Sequence, residues 1–279
     1  MRTGLEHLTV LITGASGGIG WALARAFAEQ QCRLVLHAGT RLAELRQRVA
    51  AESWSGQAFC CAAEVSDPDQ VEQLFAAGRS LFGSIDVCVA NAGVWPEDAC
   101  PLHRLDPARI RRVIDINLLG AIWTARAFLA QVAPREDGKG ASLTFIGSTA
   151  GRFGEAGHSE YATSKAALVG LLRSLKNEIV RLDPYGRVNL VQPGWTVTEM
   201  ARPALTRPGL VENVLAGMPL RQLARAEDIA RAVVFLSAPE LARHVSGEIL
   251  TVAGGMEGRH LWDPDDIDRD EVLRRLGDR

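Results

Sequence analysis

Short runs of consecutive apolar residues recur along the chain, separated by longer stretches with helical periodicity. Runs at 8–13, 33–36, 57–62, 85–90, 141–146, 187–191 and 248–252 predict seven strands. Most are apolar at successive positions, not at alternate ones, as expected for strands buried on both faces of a parallel sheet. The stretches between them predict helices. Asp67-Pro68 and Asp106-Pro107 are each an N-cap residue followed by proline at the first helical position. They open helices towards Phe82 and, through Asn117, towards Gln131; a third long helix is predicted over 159–182. Alternating strand and helix with right-handed crossovers gives an α/β fold: a doubly wound, Rossmann-type parallel sheet with helices on both faces, in a single domain.

Two segments break this rhythm. Residues 195–220 carry Pro203, Pro208 and Pro219 among short helical pieces. They follow the sixth strand at the carboxyl edge of the sheet, where a substrate lid belongs. The domain is predicted to close at residue 256. The charged extension 257–279 shows an N-cap signal at Asp263-Pro264, a weak apolar stripe at Ile267, Leu273 and Leu276, and a stop at Gly277. It reads either as a solvated helix or as one that docks on a neighbouring subunit.

At 279 residues the chain fits one domain, and a 47% hydrophobic fraction supports a large core. A formal net charge of −2 argues against nucleic acid or an anionic membrane surface as partner. The five cysteines lie mostly in apolar runs without metal or redox spacing, and read as reduced thiols. No apolar stretch is long enough for a signal peptide or a membrane span. A cytoplasmic location is expected.

Thr13-Gly14-Ala15-Ser16-Gly17-Gly18-Ile19-Gly20 joins the first strand to a helix. Glycines let the backbone turn tightly against a pyrophosphate, and the free N–H groups of the helix start face that anion. Tyr161 and Lys165 are spaced i, i+4 and share a helix face. The ammonium should favour the phenolate; lowering a tyrosine from pKa ~10 to ~7 needs about 4 kcal/mol. Asn91-Ala92-Gly93 follows the fourth strand and Ser148 ends the fifth. A Tyr-x-x-x-Lys pair, a serine at a strand end or a helical asparagine is by itself usually an ordinary contact or cap; their joint order and spacing make the catalytic reading.

With these motifs the chain resembles the short-chain dehydrogenase/reductase family, closest to single-domain 3-oxoacyl-carrier-protein reductases, over roughly residues 5–256. The resemblance implies a catalytic tetrad of Asn117, Ser148, Tyr161 and Lys165. In it Tyr161 is the acid/base, Ser148 holds the substrate oxygen, Lys165 tunes Tyr161 and binds ribose, and Asn117 supports a water relay. It implies a cofactor site of Gly14, Ser16, Gly18, Ile19, Gly20, Thr40, Arg41, Glu64, Val65, Asn91, Ala92, Gly93, Tyr161, Lys165, Pro193, Gly194, Thr196 and Thr198. Glu64-Val65 resembles the family's adenine-contacting pair, with Glu in place of Asp. Trp95, Phe153, Trp195 and Met200 fall on loops resembling the substrate rim, beside Ser148 and Tyr161. Relatives are usually homotetramers built on the long helices and the last strand.

The end of the second strand reads Leu36-His37-Ala38-Gly39-Thr40-Arg41. It lacks the acidic residue that binds a ribose 2′-OH, while Thr40 and Arg41 can donate to a 2′-phosphate. This favours NADP(H), with NAD(H) possible. The reading is an oxidoreductase that passes hydride between nicotinamide and a small carbonyl/alcohol substrate. Rival readings are an NADP(H)-binding regulatory protein without turnover, an NAD-dependent alcohol dehydrogenase, and an epimerase or dehydratase on the same fold. The last usually carries a different glycine spacing and a larger C-terminal region. His158, Glu155 and Glu160 flank Tyr161; His158 either contacts substrate or satisfies loop backbone. Arg152 either meets an acidic substrate or is solvated. No metal site is expected.

Overall fold

Residues apolar on both sides need cover on both faces, and the sheet provides it. The computed structural model describes residues 2–135, 137–199, 201, 206, 208–259 and 268–277. Strands β1 (Thr9–Ile12), β2 (Arg33–Ala38), β3 (Ala58–Ala62), β4 (Val87–Ala90), β5 (Ser142–Ile146), β6 (Arg187–Pro193) and β9 (Ile249–Val252) form one sheet in the order β3-β2-β1-β4-β5-β6-β9. Every pairing in it is parallel. Two short strands, β7 (Thr196–Val197) and β8 (Ala224–Arg225), pair separately beyond the carboxyl edge. Strand order reverses between β1 and β4, which opens the crevice where ligands bind in doubly wound sheets.

One face of the sheet is covered by α1 (Gly18–Glu29) and the helix Ala226–Ser237, which pack on each other and on Val10, Ile12, Leu34 and Leu36. The other carries α3 (Pro68–Phe82), α5 (Gly120–Leu129) and α7 (Ser159–Glu178), packed on Leu11, Val35, Cys88, Leu143 and Phe145. Alternate residues of β1 thus serve opposite cores, as a strand's two-residue repeat requires. Phe128 of α5 is fully buried, with its ring centroid 6.5 Å from that of Phe75 of α3.

Both proline-led helices start where the sequence predicts. The Asp67 carboxylate accepts from the N–H groups of Asp69 and Gln70, and Asp106 accepts from Ala108. The second of these helices is not continuous. It runs as α4 (Pro107–Ile114), widens into one π-helical turn at Asp115–Leu119, and resumes as α5. The extra residue bulges the backbone at Asn117, which is fully buried. Between β2 and β3 lies α2 (Leu42–Ala50), and α6 (Ala150–Phe153) is a single turn after β5.

The predicted lid, 195–220, contains β7 and the helix Leu210–Ala216, and β8 pairs with β7 from just beyond it; Met200 and Pro203 lie outside the described residues. In the C-terminal extension a helix spans Arg269–Gly277, with the Asp268 carboxylate accepting from Asp270 and Glu271. Asp263, Pro264 and Ile267 lie outside the described residues, as do the side chains of Leu273 and Leu276.

His37 ties β2 to the turn after β1. Its Nδ1 accepts from the Gly14 N–H at 3.0 Å, and its Nε2 lies 2.9 Å from the Ala63 carbonyl. A neutral ring with its proton on Nε2 satisfies both contacts; a proton on Nδ1 would face the Gly14 N–H. Burial pushes His37 below its ordinary value of 6.5, against smaller raising contributions from the Ala63 carbonyl and the Glu64 carboxylate.

Two outcomes follow from this packing. Phe128→Ala should cost about 3–5 kcal/mol of unfolding free energy, read from chemical denaturation. Below about pH 6.5 the unfolded chain takes up a proton that folded His37 resists, so stability should fall as pH drops through the window down to the lowered folded value. His37→Gln should make the denaturation midpoint less sensitive to pH between 7.5 and 5.5; an unchanged sensitivity would show that another group sets the slope.

Candidate active site

The turn after β1 is held from beneath by β4. Thr13 Oγ1 accepts from the N–H groups of Asn91 and Ala92, both at 3.0 Å. Asn91 Nδ2 donates to the carbonyls of Thr13 and Gly14 at 2.8 and 3.2 Å. These bonds, with that from Gly14 to His37, fix the shape of the loop. A Cβ on Gly20 would lie 2.2 Å from the Gly14 carbonyl oxygen, and one on Gly18 would lie 2.8 Å from Thr198. Gly14 has φ +67°, which favours glycine. The helix that follows has no side-chain cap, so its first N–H groups remain available to a ligand.

A cavity of about 630 Å³ runs from this turn along the carboxyl ends of the strands. Gly14, Ser16, Gly18, Ile19, Gly20, Thr40, Arg41, Glu64, Val65, Asn91, Ala92, Gly93, Pro193, Gly194, Thr196 and Thr198 all line it. The crowded glycine cradle, a helix start without a cap and a cleft of this length fit a dinucleotide. Arg41 stands at the wall, 3.8 Å from Glu44 and 3.5 Å from Glu199 of the lid. Glu64, expected at the adenine, accepts from the N–H and hydroxyl of Ser66. Arg112 and Ile116, which the sequence reading did not single out, also reach the wall.

Ser148, Tyr161 and Lys165 line the same cavity. Ser148 Oγ accepts from the Ala150 N–H at 3.1 Å, so it caps a helical turn as well as facing the cavity. Lys165 is buried, and its Nζ donates to the Ile146 carbonyl at 2.9 Å. Its Nζ is 5.9 Å from the Tyr161 ring centroid. Burial pushes the ammonium down to about 8, and no carboxylate among the described residues pairs with it.

The phenol departs from the expected direction. Burial raises Tyr161 above its ordinary value, a hydrogen bond with Ser148 lowers it in part, and the Glu155 carboxylate raises it further. The expected lowering does not come from the protein's own groups, because Lys165 points to a carbonyl and desolvation dominates.

Asn117 and Phe153 stand off the cavity wall. Asn117 is a clamp: Oδ1 accepts from the Val94 N–H at 2.8 Å, and Nδ2 donates to the Val94 carbonyl and to Ser164 Oγ. It faces Lys165 across Gly93, where an added Cβ would lie 3.2 Å from Asn117 Oδ1 and 3.3 Å from Lys165 Nζ. The π-helical turn aims this side chain inward. Phe153 packs instead with Met218, Met256 and Trp195, with the Arg152 guanidinium 5.0 Å from its ring centroid. Arg152 also donates to Thr251 Oγ1.

Trp95 and Trp195 line the cavity. Trp95 meets Tyr161 edge to face at 4.6 Å and stacks on buried His158 at 4.0 Å, so His158 supports an aromatic wall. Glu160 is buried at the start of α7 and pairs with Arg109 at 2.7 Å. Sequence reasoning gave Glu155 no role and set Arg259 in the extension, yet both line the cavity and pair at 2.9 Å. Separated by 104 residues, they carry no local signal that could have joined them.

Comparison with known proteins places this geometry. A family model described as enoyl-(acyl carrier protein) reductase matches residues 14–257. The chain is 36% identical over 256 residues to L-rhamnose 1-dehydrogenase (NAD(P)(+)) of Azotobacter vinelandii, covering 89% of this chain and 96% of that one. It is 37% identical over 260 residues to cis-4-hydroxycyclohexanecarboxylate dehydrogenase of Sinomonas cyclohexanicum, covering 91% and 98%. It is 32% identical over 251 residues to 3-oxoacyl-[acyl-carrier-protein] reductase of Escherichia coli, covering 90% and 98%. A crystal structure of a short-chain dehydrogenase/reductase (glucose/ribitol dehydrogenase) from Brucella melitensis superposes with a TM-score of 0.81 at 30% identity, over 91% of this chain and 98% of that one. The chain belongs to the short-chain dehydrogenase/reductase family of NAD(P)-dependent oxidoreductases.

Proposed function

We propose that this protein uses NADP(H) to interconvert a ketone or aldehyde and the corresponding alcohol, with Tyr161 as general acid/base. The observation that carries this reading is that Ser148, Tyr161 and Lys165 line one cavity together with the glycine turn. When bound, the nicotinamide supplies or accepts the hydride. Ser148 and Tyr161 hold the substrate oxygen, Ser148 by its hydroxyl and Tyr161 by its phenol. A phenol kept protonated by burial is a ready donor to an oxygen that gains negative charge, and hydrogen bonding from Ser148 disperses that charge. In the reverse direction the phenol oxygen takes the proton back.

Lys165 binds ribose hydroxyls and keeps a positive charge within reach of the phenol. Its lowered value of about 8 leaves it mostly charged at neutral pH. Asn117 acts at one remove by locking Val94 and Ser164 around Lys165. The preference for NADP(H) rests on Thr40 and Arg41 at the end of β2 and on the lack of a carboxylate from Ala38 to Arg41. Residues 1–256 serve as one catalytic domain with the lid at 195–220. A homotetramer is supported by β9, an edge strand whose residues are only half-buried. The working location is the cytoplasm, and the substrate is a small molecule.

Tyr161→Phe should abolish turnover, with kcat down by at least about 10²-fold, while NADPH binding measured by fluorescence is retained; preserved turnover would reject the assigned proton donor. Arg41→Ala should raise the KM for NADPH by about tenfold, as expected for one charge-assisted contact of about 1.4 kcal/mol, and leave that for NADH nearly unchanged. Equal effects on both cofactors would overturn the NADP(H) assignment.

A further inference from the structure

On the cavity wall, Glu155 from the loop between α6 and α7 meets Arg259 from beyond the last strand. Arg259 Nε donates to Glu155 Oε2 at 2.9 Å, Nη2 donates to Thr149 Oγ1 at 3.2 Å, and Nη1 contacts the Met256 sulfur. Three of the five guanidinium N–H donors are therefore directed at protein acceptors, and the charge of Arg259 is matched by Glu155. Glu155 is engaged at only one oxygen; among the described residues its Oε1 has no hydrogen-bond partner. The pair is largely enclosed, with side-chain exposures of 16% and 21%.

Glu155 and Arg259 line the cavity together with Tyr161, Ser148, Trp95 and Trp195. Among the described residues the other Glu155 oxygen has no hydrogen-bond partner, and it belongs to a wall that also carries two indole rings. Such an acceptor suits hydroxyl donors and opposes a second carboxylate or a phosphate. Indole faces suit the C–H face of a saturated ring. The influence of Glu155 on the Tyr161 phenol agrees with its standing near the reacting oxygen.

We propose that Glu155, positioned by Arg259, selects a neutral polyhydroxylated ring, a cyclic sugar or cyclitol, by accepting hydrogen bonds from hydroxyls next to the carbon that is oxidised or reduced. This inference rests on the redox reading above and names its substrate class. Glu155 contacts the substrate; Arg259 is a positioning residue that acts through it.

The test uses the full-length protein with two independent readouts. The first is NADP(H)-linked turnover on neutral aldohexoses, aldopentoses, 6-deoxyhexoses and inositols, set against cyclohexanols that carry a carboxylate and 3-hydroxyacyl thioesters. The second is quenching of tryptophan fluorescence by the same compounds in the presence of cofactor, which reads recognition without chemistry. At least one neutral ring should bind and react better than the anionic compounds. Glu155→Gln should raise its KM by about tenfold, the loss expected when a charge-assisted hydrogen bond becomes a neutral one, with a smaller change in kcat. The same substitution should improve the carboxylated cyclohexanol. Arg259→Met should also raise the KM for the ring, with unchanged thermal stability confirming that the fold survives.

Binding of a neutral ring that responds to Glu155→Gln, but no hydride transfer, would sink the redox reading and leave the recognition site standing. Turnover of thioesters or anionic rings without binding of any neutral ring would overturn the inference and leave the redox reading standing. Equal discrimination in wild type and Glu155→Gln would also overturn it.

Discussion

Everything at this site depends on the shape of one backbone turn. An anion can approach the start of α1 only if the glycines from Gly14 to Gly20 leave its peptide N–H groups uncovered. The bonds that hold the turn run from its own Thr13, from Asn91 and from His37. The glycines are needed because carbonyl and side-chain atoms already occupy the space a Cβ would take. Polar side chains here serve to shape the peptide groups of the turn.

The same division of labour runs through the catalytic half. Lys165 and Asn117 lie in the core, and neither faces an acidic partner. Each is bound to main-chain groups, Lys165 to Ile146 and Asn117 to Val94. A buried ammonium satisfied by a carbonyl alone keeps its charge uncompensated, which is costly for folding. Stability is given up locally, at a point on the cavity wall.

Much of this was legible in the order of residues. Strands buried on both faces must be apolar at successive positions, so seven runs were enough to expect a seven-stranded parallel sheet. Glycine spacing, proline-led helix starts and the Tyr161–Lys165 interval are local features that depend on few neighbours. What stayed hidden is non-local or geometric. The segment from Ile114 to Leu119 has the polarity of an ordinary helix, and only packing against Val94 and Ser164 shows why one turn widens. The tie of His37 to Gly14 spans 23 residues, and that of Glu155 to Arg259 spans 104. Phe153 has the size expected of a pocket residue but turns towards methionines. The phenol's raised value follows from burial and neighbouring charge, neither of which composition reveals.

The widened turn at Asp115–Leu119 also bears on how this chain can change over time. A π-helical turn is one residue longer than the α-helical turn it replaces. The extra residue is taken up inside that one turn, so the helix before it and the helix after it keep their facing. Deleting one residue there would restore an unbroken α-helix with α4 and α5 still set against their own neighbours, and would remove the bulge that carries Asn117 to Val94. A change of one residue in this stretch thus costs the clamp and spares the core, whereas the same change within α4 or α5 would rotate one side by about 100° against the other.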